Sequence, residues 1–213
     1  MTDKEIAIPV GDVEIMGILN VPDEARGIVL FVHGSGSSRF SPRNAVVARG
    51  LESVGLATML LDLLTLTEET DRANVFDIDL LAKRLQKVTK WVRADSKLKK
   101  LSIGYFGAST GAGAALQAAA LVERISAVVS RGGRPDLAMK YLAKVSAPTL
   151  LIVGGEDYEV LELNKLALAK LSGIKKLAVV PGATHLFEEP GKLEEAEKLT
   201  QDWFTKFLVR VRK

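Results

Sequence analysis

One serine, two histidines and a few carboxylates carry the chemistry that this sequence can offer. Gly107-Ala108-Ser109-Thr110-Gly111 sets a serine between small residues in the pattern G-x-S-x-G. Between a strand and a helix, such a frame lifts the hydroxyl clear of a sharp turn. Alone the pattern is weak, since average Gly and Ser usage yields it in on the order of one chain in ten at this length. A serine hydroxyl is also a poor nucleophile without a base. The only histidines are His33 and His185, and His185 closes Gly182-Ala183-Thr184-His185 just after an apolar, strand-like run. It is the expected general base. A carboxylate must hold that imidazole in the right tautomer. Asp157, after Gly154-Gly155-Glu156, supplies it in the chain order Ser, Asp, His. Glu156 and Glu159 are alternatives, and Asp157 could equally cap the helix that follows.

Acyl chemistry further needs donors for a developing oxyanion. The backbone N–H of Thr110, next to the serine, is one candidate. The other comes from His33-Gly34-Ser35-Gly36-Ser37-Ser38, where Ser35 or Gly36 could aim an N–H at the site. His33 then anchors that loop, because one base suffices. The segment lacks the Lys and the spacing of a phosphate-binding loop, which disfavours nucleotides. Leu63, Leu64, Leu66 and Phe187 are candidates to line an apolar pocket. Arg131 or Arg134, in Arg131-Gly132-Gly133-Arg134, could meet a substrate carboxylate, although plain turn structure is the preferred reading of both.

The elements that must position these residues follow from periodicity. Gly27–Val32, Ala57–Leu61, Leu101–Phe106, Ile125–Val129, Thr149–Val153 and Ile174–Val180 each read as short, apolar and rich in β-branched residues, as parallel strands covered on both faces should be. Glu5–Pro9 and Val13–Leu19 flank Gly11-Asp12 and form an antiparallel hairpin at the sheet edge. Helices are expected from Pro42 behind a Ser41 cap, from Ile78 to Val92 behind Asp77, and over Thr110–Val122, Pro135–Lys144, Val160–Ser172 and Leu193–Val211. Leu64–Phe76 is the longest expected loop. Strands alternating with helices give an α/β fold with about eight mostly parallel strands and helices on both faces.

Composition agrees with one compact unit spanning residues 1–213. The chain is 47% hydrophobic and 26% charged, close to the average for globular proteins. A formal net charge of +3 is too small to imply a nucleic-acid partner, and its Lys and Arg fall mostly on helix faces and at Arg210 to Lys213, where they complement a helix dipole. There is no cysteine, which excludes a thiol nucleophile, a disulfide framework and a thiolate metal site. No apolar run approaches the roughly 20 residues that span a bilayer, so no membrane partner is expected and a cytoplasmic location follows. No metal or organic cofactor is implied. A homo-oligomer is left open.

The ordered set His33-Gly34, Gly107 to Gly111, Asp157 and Gly182 to His185 resembles the α/β-hydrolase superfamily over nearly the whole chain. Within it, Val32 to Ser38, His185 to Gly191 and the absence of a cap insertion resemble the dienelactone-hydrolase-like group. The resemblance implies the three-layer α/β-hydrolase sandwich. Ser109 stands where dienelactone hydrolase itself has a cysteine, which argues against dienelactone as the substrate. The expected function is therefore serine-dependent hydrolysis of a small-molecule carboxylic ester through an acyl-enzyme, with Ser109, His185 and Asp157 as triad. Thioester or lactone hydrolysis and acyl transfer use the same groups, and a catalytically silent binding protein of the same fold is the competitor from another class.

Overall fold

The computed structural model describes residues 3–209. The basic tail Arg210 to Lys213 and the end of the expected C-terminal helix at Val211 lie outside them.

Eight strands form one sheet: β1 (Lys4–Pro9), β2 (Glu14–Asn20), β3 (Gly27–Val32), β4 (Ala57–Leu61), β5 (Ser102–Ala108), β6 (Ile125–Arg131), β7 (Thr149–Gly154) and β8 (Lys175–Val180), in the spatial order β1-β2-β4-β3-β5-β6-β7-β8. The β1–β2 hairpin pairs antiparallel at one edge, and β2 runs antiparallel to β4. All remaining pairings are parallel. This arrangement is the three-layer α/β-hydrolase sandwich. β3, β4 and β7 are buried at every position, because both of their faces are covered.

The covering helices are α1 (Pro42–Ser53), α2 (Arg72–Val75), α3 (Ile78–Ala94), α4 (Thr110–Leu121), α5 (Tyr158–Lys170) and α6 (Lys192–Leu208). α1 and α6 enclose one core with Phe31, Phe106, Val129 and Ile152. α3, α4 and α5 enclose the other with Leu30, Tyr105, Val128 and Leu151. Alternate residues of each strand thus feed opposite cores, as the two-residue period requires. On α3, Leu81, Leu85, Val88 and Val92 are buried along one stripe, each worth about 1.5–3 kcal/mol of transfer free energy. Ser41 and Asp77 cap their helices as expected, accepting hydrogen bonds from the N–H groups of Asn44 and Leu80.

Two expectations need correction. Pro135–Lys144 is not an α-helix but two 3₁₀ turns, Pro135–Ala138 and Leu142–Lys144. Ala138 and Leu142 are buried, so the apolar spacing marks residues that face the core from two short turns. Leu64–Phe76, expected as loop, contains a 3₁₀ turn at Glu68–Thr70 and then α2. The Glu68 carboxylate accepts from the N–H of Thr65 at 2.8 Å. The buried Arg84 donates to that carboxylate and to the Leu63 carbonyl. Arg84 holds the Glu68 carboxyl down to about 2.

Because β3 to β8 are parallel, the loops after them all leave one edge of the sheet. His33 and Asp62 directly follow β3 and β4, Ser109 directly follows β5, and Arg131 ends β6. Asp157 and His185 lie in the loops after β7 and β8. The topology alone gathers them at the carboxyl ends of the strands, where ligands of open α/β sheets bind.

Candidate active site

Ser109 sits between β5 and α4 with φ +50° and ψ −125°, a backbone conformation that costs a non-glycine residue about 1–3 kcal/mol. Neighbouring contacts hold it there. Its N–H donates to the Arg131 carbonyl at 3.3 Å, and its carbonyl accepts from Ala112 and Arg134 N–H groups at 3.1 and 3.0 Å. Two residues on, a Cβ at position 111 would lie 2.4 Å from the carbonyl oxygens of Val32 and His33, so only glycine lets α4 start this close to β3. Helix α4 is buried from Thr110 to Ala119, and its first N–H groups have no intrahelical acceptor.

His185 and Asp157 meet across the same edge. His185 Nδ1 lies 2.6 Å from Asp157 Oδ2, with side-chain exposures of 39% and 13%. Asp157 occupies the N-cap position of α5 but makes no capping hydrogen bond; its carboxylate is spent on the imidazole. Glu156 is instead engaged by the Tyr158 hydroxyl. The Nδ1 contact leaves Nε2 of His185 for a proton held elsewhere, and His185 and Ser109 line one cleft of about 260 Å³.

The loop after β3 closes that cleft. A Cβ on Gly34 would stand 2.7 Å from Ser109 Cβ, so the bare backbone is what allows the approach. Ser35 N–H donates to Thr110 Oγ at 2.9 Å, tying loop and elbow together. Ser35 borders both the Ser109 cleft and a second cavity of about 310 Å³, whereas Gly36 borders only the second. That second cavity is walled by Val32, Leu63, Leu64, Val75 and Leu81, with Glu69 and His33 at its polar side. Leu64 lines this apolar chamber, while Leu66 is 84% exposed.

Three other expected residues sit differently. Phe187 is fully buried in the core with α1 and α6 and borders neither chamber. Its φ of +58° reverses the chain after His185 and turns the ring inward. Arg134 pairs through both Nε and Nη2 with Asp136, at 2.9 and 2.8 Å, outside the cleft. Arg131, read as surface structure, is only 7% exposed and borders the cleft, because β6 carries its side chain beneath α1. There Nη2 donates to Asn44 Oδ1 at 3.1 Å.

His33 belongs to a half-buried polar cluster that periodicity does not reveal. Its Nδ1 lies 2.9 Å from the Gly34 carbonyl oxygen and its Nε2 3.4 Å from Asp62 Oδ1. Asp62 also accepts from the Arg39 backbone N–H and guanidinium, each at 2.5 Å. Burial opposes a charge on His33, but Asp62, the Gly34 carbonyl and Glu69 outweigh it and raise its pKa. Burial likewise opposes the Asp62 charge, yet His33 and Arg39 bring its pKa below the usual carboxylate range. A carboxylate directly following a parallel strand is the signal that could have found it.

A dienelactone hydrolase family model matches residues 45–210. The solved dienelactone hydrolase from Anabaena variabilis ATCC 29413 is 52% identical, covers 97% of this chain and 98% of its own, and superposes with a TM-score of 0.95. An α/β serine hydrolase without lid from Xanthomonas campestris shares the fold at 21% identity and a TM-score of 0.79, covering 99% of this chain and 97% of its own. Curated relatives from Mycobacterium tuberculosis strains CDC 1551 / Oshkosh and ATCC 25618 / H37Rv, both named "Putative phosphoribosyl transferase", are 59% identical over 205 residues. That stretch is 96% of this chain but 46% of theirs, so the chain spans about half the length of those relatives. Among the described residues, no helix is long and apolar enough to cross a membrane. With the family model matched over most of the chain and the fold shared with α/β serine hydrolases, this protein belongs to the dienelactone hydrolase family.

Proposed function

We propose that the protein hydrolyses small carboxylic esters through an acyl-enzyme on Ser109. The observation that carries this reading is the 2.6 Å contact of His185 Nδ1 with Asp157, in a cleft that also holds Ser109 on a strained turn. Asp157 keeps the proton on Nδ1, so Nε2 can take the Ser109 Oγ proton as Oγ attacks the ester carbonyl. The tetrahedral oxyanion lies at the N-terminus of α4, where the Thr110 N–H and the helix dipole oppose its charge. Ser35 N–H, which borders the same cleft, serves as second donor by exchanging the Thr110 hydroxyl for the oxyanion. Collapse breaks the ester C–O bond, and His185 returns its proton to the departing alkoxide. Water, deprotonated by His185, then attacks the acyl-enzyme and frees the acid and Ser109.

The chamber walled by Val32, Leu63, Leu64, Val75 and Leu81 supports an apolar group on the substrate. Thioesters and lactones would use the same groups. The transferase name of the mycobacterial relatives belongs to chains more than twice as long as the matched part; acyl chemistry is what the residues of this part support.

Hydrolysis of p-nitrophenyl acetate and butyrate tests the reading. The Ser109→Ala variant should lose roughly 10³-fold or more in kcat/KM, and a fluorophosphonate probe should label the wild type at Ser109 alone. A wild type that neither exceeds the Ser109→Ala control nor takes the label would overturn the proposal.

A further inference from the structure

Two consecutive glutamates between β4 and α2 are treated in opposite ways. Glu68 is fully engaged: Arg84 donates to both of its carboxylate oxygens, and Thr65 donates through its N–H and its hydroxyl at 2.8 and 2.9 Å. The Glu68 carbonyl accepts from Asn74 Nδ2 at 3.1 Å, and the Glu69 N–H donates to the Thr65 carbonyl at 3.0 Å. The backbone of Glu69 is therefore held from both sides. Its side chain is not: among the described residues no donor reaches the half-buried carboxyl group, and burial, then the charge of Asp62, push its pKa up. That group is the one carboxyl among the described lining residues of the second chamber, opposite walls of Val32, Leu63, Leu64, Val75 and Leu81. The other polar side chains deeper in this chamber are occupied, since both nitrogens of His33 face acceptors and Thr110 Oγ accepts from Ser35. A carboxyl group that loses water without gaining a donor is unfavourable, and a donor on a ligand relieves that cost. The nearby charges nearly cancel, Asp62 and Glu69 against Arg39 and a His33 of raised pKa. A neutral hydroxyl suits such surroundings better than an ammonium, which would have to give up its hydration.

We propose that Glu69 determines specificity in the second chamber by accepting a hydrogen bond from a hydroxyl on the substrate's apolar group, and that the substrates are esters of phenol-sized, hydroxyl-bearing acids or alcohols. The proposal rests on Ser109 as the acyl-accepting nucleophile and deepens that reading by naming the substrate class. Gly34, Ser35 and Ser37 border both chambers, so one molecule can set its ester at Ser109 and its hydroxylated end against Glu69. An apolar wall with one convergent polar group is the arrangement that fixes a ligand's orientation.

Matched esters test it. 4-Nitrophenyl 4-hydroxyphenylacetate is compared with 4-nitrophenyl phenylacetate, which places the hydroxyl on the acyl side. 4-Hydroxyphenethyl acetate is compared with phenethyl acetate, which places it on the alcohol side. The wild type should favour the hydroxylated member of one pair by about tenfold or more in kcat/KM, as a hydrogen bond to a carboxylate allows. The pair that responds identifies the half of the substrate that occupies the chamber. In Glu69→Leu the preference should fall to unity, with Glu69→Gln intermediate, because its amide oxygen still accepts. A general structural defect would instead depress both members of a pair together. Thermal denaturation supplies a readout independent of turnover: millimolar 4-hydroxyphenethyl alcohol should raise the Tm of the wild type more than phenethyl alcohol does, and the two should act alike on Glu69→Leu. If Glu69→Leu does not fold, the wild-type comparisons and their reduction in Glu69→Gln decide the matter. A wild type that treats both members of each pair alike and gains no more stability from the hydroxylated alcohol overturns the proposal, and so does a preference that survives in Glu69→Leu. Absence of any turnover and of fluorophosphonate labelling would instead sink the nucleophile assignment, leaving Glu69 to be judged by the Tm comparison.

Discussion

Two histidine–aspartate pairs sit on the same edge of this sheet, and they are built for opposite ends. His185 meets Asp157 through Nδ1 at 2.6 Å, is 39% exposed and faces the cleft of Ser109. His33 meets Asp62 through Nε2 at 3.4 Å, is 15% exposed and sets its Nδ1 against the Gly34 carbonyl. A base needs a ring nitrogen turned to the nucleophile, and both nitrogens of the second imidazole are turned to acceptors instead. Its aspartate is also shared with Arg39, whereas Asp157 serves His185. Residue type therefore does not make a base; the atom left unbound does.

The largest expected contrast breaks or upholds this comparison directly. His185→Ala should lower kcat/KM for p-nitrophenyl butyrate by roughly 10³-fold or more, while His33→Gln should cost less than about tenfold and act through the position of Gly34 and Ser35. Comparable losses in the two variants would erase the distinction.

Next comes the pair of acids. Asp157→Asn should reduce kcat on the order of 10²- to 10⁴-fold with little change in Tm, because the amide favours the wrong imidazole tautomer. Asp62→Asn should do the reverse, leaving turnover within a small factor and lowering stability by about 1–3 kcal/mol as Arg39 and His33 lose their anion. Urea denaturation paired with steady-state kinetics separates these outcomes.

The smallest effect is a pH dependence. His33 has a raised pKa in the folded protein, so the stability it contributes is fully present below its unfolded value near 6.5 and fades as pH rises through the higher folded value. Asp62, whose pKa is lowered, contributes stability that is present above about 4 and is lost as pH falls further. The stability difference between wild type and His33→Gln should accordingly shrink as pH is raised from about 6 to 9. A difference that stays constant over that range would show that no ionised His33–Asp62 pair exists.

Much of the fold is legible in residues alone, and the physical reason is periodicity. The unbroken apolar run Ile28 to Val32 marks a strand covered on both faces, and the three-and-four spacing of Leu81, Leu85, Val88 and Val92 marks α3. The same patterns set Ser109, Asp157 and His185 each behind its own strand, so chain order alone suffices to assemble the candidate triad. The His33–Asp62 pair is not legible in this way. The two residues are distant in sequence and meet only because β3 and β4 are neighbours in the sheet. Pro135–Lys144 misleads because apolar residues three and four apart can face the core from short 3₁₀ turns as well as from a helix.

The sequence by itself determined the order of the strands and of the longer helices, the glycines that permit the Ser109 turn, and the residue types available for acyl chemistry. These are local properties, written in propensity, spacing and side-chain chemistry. Tertiary structure alone decided which nitrogen of each histidine is occupied, that Phe187 turns into the core, and that Arg131 is buried beside Ser109 without a carboxylate. Those outcomes depend on which strands lie side by side and on what packs over them, and no local pattern encodes either.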